Sequence, residues 1–121
     1  MSTEPRTATV NVFVTKPLEI DEPDWCAGHP SPLAQYKVDI THYGPEHVIE
    51  ANGFQTLRAI LSSSPFSQHQ PGPVLYVEGG DLTGSYTPDE VEQLADALVQ
   101  TAEQLRALGR QLADILAGGS Q

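Results

Sequence analysis

Hydrophobic and polar positions alternate through several short runs of this chain and then step in threes and fours through one long run at its end. In "TATVNVFVT", residues 7–15, Val10, Val12 and Val14 fall on one side and Asn11, Phe13 and Thr15 on the other, and β-branched residues dominate, which predicts a strand. In "QYKVDITHY", residues 35–43, Tyr36, Val38 and Ile40 oppose Lys37, Asp39 and Thr41, the pattern of a strand with one face in water. Gly44 and Pro45 supply a turn, from which "HVIEA" can return as a hairpin partner. The run "FQTLRAILSSS", residues 54–64, is ambiguous, because Leu57, Ile60 and Leu61 have helical spacing but the run is short. "VLYVEG" predicts a further strand, and "LTGSY" a short one after the Gly79-Gly80-Asp81 turn.

The long run begins at "TPDEVEQL". Thr87 can cap a helix with its hydroxyl, Pro88 suits a first position that needs no backbone donor, and Glu90 completes a T-x-x-E capping box. Asp89, Glu90 and Glu92 sit at the positive end of the dipole, and Gly118 and Gly119 offer a left-handed stop, so the helix should run from about Pro88 to Ala117. Its apolar positions, Val91, Leu94, Leu98, Leu105, Leu108, Leu112 and Ile115, keep a coiled-coil spacing with Thr101 as the polar interruption. About thirty residues at ~1.5 Å each give ~45 Å, more than a small domain needs. The distal half should overhang its own sheet, and a homodimer through these seven residues is the expected assembly, with docking of a different, unknown protein partner or fraying of the distal half as the alternatives. Small or uncharged flanking positions (Ala95, Ala102 and Gly109 on one side, Ala97, Gln104 and Gln111 on the other) allow close approach to both a sheet and a second helix.

These elements predict an α+β fold: an antiparallel sheet of about five strands with one long C-terminal helix. The expected organisation is a disordered leader over residues 1–6, a sheet domain over 7–86, the helix over 87–117 and a tail over 118–121. Within the sheet domain, residues 16–34 carry Pro17, Pro23, Pro30 and Pro32 among several acids, and so read as a loop.

Composition narrows the function classes. With 121 residues the chain is long enough for one domain that folds without disulfides or an obligatory metal. Sixteen acids against six bases give a net charge of −10, and the bases form no cluster, which argues against nucleic-acid binding. A single cysteine makes no intramolecular disulfide, the first ten residues lack the apolar run of a signal peptide, and no stretch is long enough to span a bilayer. The expectation is a cytoplasmic protein with no membrane partner.

Candidate chemistry centres on "DWCAGH", residues 24–29, which holds the only tryptophan and the only cysteine. Cys26-x2-His29 is followed by His42-x4-His47, and two short-spaced pairs a dozen residues apart can converge on one tetrahedral ion. Thiolate with imidazole suits zinc, so Cys26, His29, His42 and His47 are the candidate ligands, with Asp24 or Asp39 able to replace one of them. Two other readings stay open. Cys26 could be a thiol nucleophile activated by His29 or His42, although no surrounding motif supplies an oxyanion hole. Alternatively Cys26 is a small buried hydrophobe, Trp25 anchors the loop on the sheet, and the histidines hydrogen-bond locally. Glu19, Asp21, Glu22 and Asp24 resemble a calcium cluster only by count, Gly79-Gly80 lacks the spacing of a phosphate loop, and His69 reads as solvent-exposed.

"PDWCAGH", "DITHYGPEH" and the helix start "TPDEVEQLADAL" together resemble an uncharacterised family of small bacterial proteins, common in high-GC species, with a W-C…H…H core and a T-P-x-E-initiated C-terminal helix. The resemblance covers the chain from about Pro23 onward. It rests on Trp25, Cys26, His29 and His42 with the helix start, does not include His47, and implies no activity.

The expected function is a small protein-interaction or regulatory module that homodimerises through its helix. A small zinc protein with a structural Cys/His site is the alternative, and a thiol enzyme using Cys26 is the remote one. The lack of a catalytic constellation argues against an enzyme.

Overall fold

The computed structural model describes residues 5–69 and 71–118. Its regular structure begins late. A single 3-10 turn, Lys37–Asp39, precedes four strands, β1 (His42–Tyr43), β2 (His47–Ala51), β3 (Phe54–Ser63) and β4 (Val74–Gly79), and the helix α1 (Pro88–Leu116). The class is α+β as the periodicity predicts, with four antiparallel strands in place of about five.

The centre of the sheet is β3, the run whose periodicity was ambiguous. It pairs with β4 along one edge and with both β1 and β2 along the other. Its direction is set by Asn52 and Gly53, whose φ angles of 50° and 82° form a two-residue reversal with both central residues left-handed, matched to the twist of the flanking strands. Such a turn delivers residues 54 onward directly against β2, and ten residues of extended chain follow.

Two expectations about the edge strands are corrected. The hairpin between residues 35–43 and 47–51 does not exist, since β1 and β2 run collinearly along the same edge of β3. From Tyr43 to His47 the edge advances four residues while its partner advances three, Ser62 to Ala59, so Gly44, Pro45 and Glu46 form a bulge. Pro45 lacks the N–H that a continuous ladder needs, and Gly44 makes the last bond before it, its N–H donating to the Leu61 carbonyl at 2.8 Å. The strand expected over 7–15 is unpaired: Val10, Val12 and Val14 are 73%, 74% and 82% exposed. Alternation made the segment compatible with a strand, but no sheet edge lies alongside to accept its hydrogen bonds. Phe13 meets Tyr36 edge-on instead, at 6.3 Å between ring centres. Residues 82–86 are also irregular, held by Tyr86, whose hydroxyl donates to the Leu82 carbonyl and whose ring packs on Phe54. Of the expected leader and tail, residues 1–4 and 119–121 lie outside the described residues.

The helix lies across β2, β3 and β4. Its start is the capping box read from the sequence: the Glu90 N–H donates to Thr87 Oγ1 and the Thr87 N–H to Glu90 Oε1. Its sheet-facing stripe is Leu94, Ala97, Thr101, Leu105, Leu108, Leu112 and Ile115, of which Ala97, Thr101 and Ile115 are buried. Of the seven expected seam residues, Leu94, Leu105, Leu108 and Leu112 are half-buried and Ile115 is buried. Ile115 is 6% exposed, so the distal end is covered and does not overhang, while Val91 and Leu98 remain 50% and 46% exposed. Thr101, the supposed interruption, is where helix and sheet touch closest: its hydroxyl lies 2.6 Å from that of Thr56 and donates to the Ala97 carbonyl at 2.8 Å. Thr56 is the extra residue of a second bulge, between the pairs Ile49–Leu57 and Glu50–Gln55, which turns its side chain under the helix. Facing alanines, Ala97 on the helix and Ala59 on β3, both fully buried, permit the approach.

Candidate metal centre

The irregular segment before the sheet is brought to β1 by three local features. Residues Pro23 to Cys26 close a β-turn through a 3.0 Å bond from the Cys26 N–H to the Pro23 carbonyl, and the next N–H, of Ala27, donates to the Tyr43 carbonyl at 2.8 Å. Trp25 then lies over the bulge. Gly44 faces the Trp25 carbonyl, and an added Cβ would stand 3.2 Å from that oxygen and 3.3 Å from Leu61 Cβ, so the missing side chain makes room for the loop. Gly28, at φ 101°, turns the chain back through the left-handed region so that His29 returns toward Cys26.

The result is a convergence of four donor atoms. Glu22, Cys26, His29 and His42 each offer one ligand atom, and all four lie within 4.8 Å of one another. His29 Nε2 is 2.9 Å from Glu22 Oε1, 3.2 Å from His42 Nδ1 and 3.7 Å from Cys26 Sγ. Cys26 Sγ is 3.3 Å from Glu22 Oε1. His42 comes from β1, opposite Ser63, and is 2% exposed, whereas the His29 and Glu22 side chains are 33% and 46% exposed. The centre is thus rooted in the sheet and open at its rim.

The arrangement has a chemical reading. A ring nitrogen either donates one hydrogen bond or accepts one. His29 Nε2 faces three partners at once, more than a proton can serve but the number expected of a corner in a coordination shell. Corners of a tetrahedron with metal–sulfur bonds of ~2.3 Å and metal–nitrogen or metal–oxygen bonds of ~2.0 to 2.1 Å stand ~3.3 to 3.6 Å apart. Four of the six separations, 2.9, 3.2, 3.3 and 3.7 Å, straddle that range, and the other two lie within 4.8 Å. The group could therefore hold a metal ion.

Burial pushes the Cys26 thiol above its ordinary value, opposed by the Gly28 N–H that donates to sulfur at 3.5 Å and reinforced by Glu22. A thiol held protonated is a poor nucleophile, and a bound cation would reverse the shift by taking the thiolate as a ligand. His42 titrates below its usual value because it is buried and because His29 is close, so it stays neutral with its lone pair available.

Of the four ligands expected from spacing, the structure brings together Cys26, His29 and His42. His47 is not among them. It stands on β2 opposite Ala59, beside a groove of about 500 Å³ between β2 and the helix that Glu46, Gln104 and Leu108 also line. Glu22 occupies the place expected of His47, and neither Asp24 nor Asp39 joins the group. Glu22 was visible only as one of several acids; its position four residues before Cys26, across the Pro23 turn, is the signal that could have singled it out.

Beside the centre lies a cleft of about 690 Å³, walled by Trp25, Pro65, Phe66 and Pro73, with Glu22 and His42 on its border. Among the described residues no helix is long and apolar enough to cross a membrane. No curated protein and no solved structure matches the chain. A family model does match residues 7–114, which takes in all four clustered residues, the sheet and nearly all of α1, and the chain accordingly belongs to the family described as a domain of unknown function, DUF6907.

Proposed function

We propose that the chain is a small zinc-binding module in which Glu22, Cys26, His29 and His42 hold one zinc ion, and that the ion fastens the proline-rich segment to the edge of the sheet. The observation that carries this reading is the three-way convergence on His29 Nε2 at 2.9, 3.2 and 3.7 Å. One thiolate with two imidazoles favours zinc over magnesium or calcium, which prefer all-oxygen shells. The fold has a use for such a fastening. Among the described residues the buried apolar side chains are Ile49, Ala51, Ala59, Leu61, Ala97 and Ile115, half of them alanines, and none comes from the segment before residue 40. Metal binding supplies folding free energy where apolar burial is thin.

Native mass spectrometry of protein purified without a histidine tag tests the proposal. One zinc per chain is expected, and Cys26→Ser should remove it or lower its occupancy sharply. Full occupancy in Cys26→Ser, or a chain that refuses zinc, would overturn it. A Cys26 thiolate held as a metal ligand is not free to serve as the nucleophile of the thiol-enzyme alternative.

A second reading, self-association through the helix, keeps one supporting observation: Val91 and Leu98, one heptad apart, stand half exposed on α1 beside Val99 at 66%. The same spectra read it out. A dimer mass that disappears in Leu98→Asp supports association through this stripe, and an unchanged dimer places the contact elsewhere.

A further inference from the structure

We propose that the Glu22 position of the zinc centre is exchangeable and opens on the adjoining cleft, so that the module binds a small ligand combining a neutral nitrogen donor with a flat apolar body. The inference rests on the zinc reading above.

The four candidate ligands are not equally held. Cys26 is fixed by the Pro23 turn, by the neighbouring Ala27–Tyr43 bond and by the Gly28 N–H on its sulfur. His42 is buried in β1. Glu22 precedes the turn on irregular chain, has the more exposed side chain of the Glu22–His29 pair, and among the described residues its carboxylate touches only Cys26 and His29 of the cluster itself. Two ligands anchored outside the cluster, Cys26 and His42, with His29 beside them and a more exposed carboxylate, make a zinc site that can keep a position for an incoming molecule.

That position faces built space. Glu22 and His42 belong both to the cluster and to the cleft wall, so a molecule in the cleft reaches the metal without crossing protein. The cleft volume of about 690 Å³ lies in the range of small-molecule sites, and Trp25, Phe66 and the prolines offer flat apolar walls. The Phe66 ring also carries the Lys37 ammonium 4.6 Å from its centre.

Charge selects the ligand class. Cys26 thiolate and Glu22 carboxylate together neutralise a zinc ion, Asp21 sits on the same wall, and the chain as a whole carries −10. An anion entering there meets Asp21 and Glu22 against the single Lys37 ammonium over Phe66. A neutral donor that displaces Glu22 leaves a single positive charge at the metal, balanced by the released carboxylate and by Asp21. An azole or amine on an aryl ring satisfies both the donor and the walls.

Cobalt(II) substitution of the full chain tests this, because thiolate-to-cobalt charge transfer reports binding of the metal and the visible d–d bands report its shell. The probes are imidazole, 4-phenylimidazole and azide. Both azoles should shift the bands, with 4-phenylimidazole about tenfold or more tighter than imidazole from burial of its ring, and azide weakest. Phe66→Ala should erase most of the phenyl advantage while cobalt stays bound, and Glu22→Ala should weaken cobalt binding and, in protein saturated with cobalt, tighten both azoles. Bands that ignore all three probes in cobalt-loaded protein would mean a closed shell, overturning this inference and leaving the zinc reading intact. Equal affinities for the two azoles would mean that the cleft contributes nothing, which also overturns it. Absence of any charge-transfer band would defeat both readings.

Discussion

The Thr56–Thr101 contact gives a quantitative test of how the helix is held. The two hydroxyls are 1% and 4% exposed, and they have two protons for three contacts: Thr56 to the Ile49 carbonyl at 3.2 Å, Thr101 to the Ala97 carbonyl at 2.8 Å, and each other at 2.6 Å. Only two of the three can form at once. Thr101→Val keeps the shape and leaves Thr56 donating to Ile49, so one buried hydrogen bond is lost, about 1 kcal/mol. Thr56→Val leaves Thr101 donating to Ala97 and costs about the same. The double variant loses both bonds and by the same count should cost about 2 kcal/mol, short of the sum of the singles only by the margin by which the 2.6 Å contact outweighs the 3.2 Å Thr56–Ile49 bond. Urea unfolding of the four proteins at constant m-value reads the cycle. Single variants that each cost under about 0.3 kcal/mol would show that the helix is not anchored through this contact.

Three further outcomes follow from the geometry. Gly80→Ala would place a Cβ 1.9 Å from the Gln55 carbonyl oxygen, where Gly80 and Asp81 bond back to Thr56 and Gln55, so the backbone must move; chemical denaturation should show a loss of several kcal/mol, of order 3 or more, and a loss under 1 would refute the close crossing. Thr87→Ala removes the cap acceptor for the Glu90 N–H and should cost about 1 kcal/mol, measurable as a lowered thermal midpoint with the sheet intact. Zinc affinity should rise with pH: the Cys26 thiol is held above its ordinary value and must lose its proton to bind, giving about tenfold per pH unit near neutrality, whereas His42, held below its usual value, adds its own proton competition only in more acidic solution. Competition with a chelating dye across pH 6 to 8 measures the slope, and a flat profile would exclude the thiolate as a ligand.

Much of the fold was legible where local chemistry decides structure. Thr87, Pro88, Glu90 and Gly118 mark the helix ends by capping and backbone freedom alone, and both ends appear there. Asn52-Gly53 was equally legible as a hairpin turn and would have resolved residues 54–63 as a strand. Other features depend on distant partners. The valines of residues 7–15 alternate as a strand should, but pairing requires an edge that the sequence does not announce. Heptad spacing cannot tell a second helix from the chain's own sheet, and Thr101 looked like a flaw because Thr56, its partner, lies 45 residues away on a bulge. At the site, spacing grouped Cys26, His29 and His42. It favoured His47 over Glu22 because a histidine pair looks like a ligand pair, whereas the bulge at Gly44 to Glu46 sets His47 on a different pair of strand positions from His42 and the Pro23 turn brings Glu22 back to the sulfur.

The ligand set itself can be read by zinc K-edge X-ray absorption on the zinc-loaded chain. One sulfur at ~2.3 Å with nitrogen and oxygen scatterers at ~2.0 to 2.1 Å, and loss of the sulfur shell in Cys26→Ser, is the expected result. A shell of nitrogen and oxygen alone, unchanged by that substitution, would contradict the convergence of Glu22, Cys26, His29 and His42 on one ion.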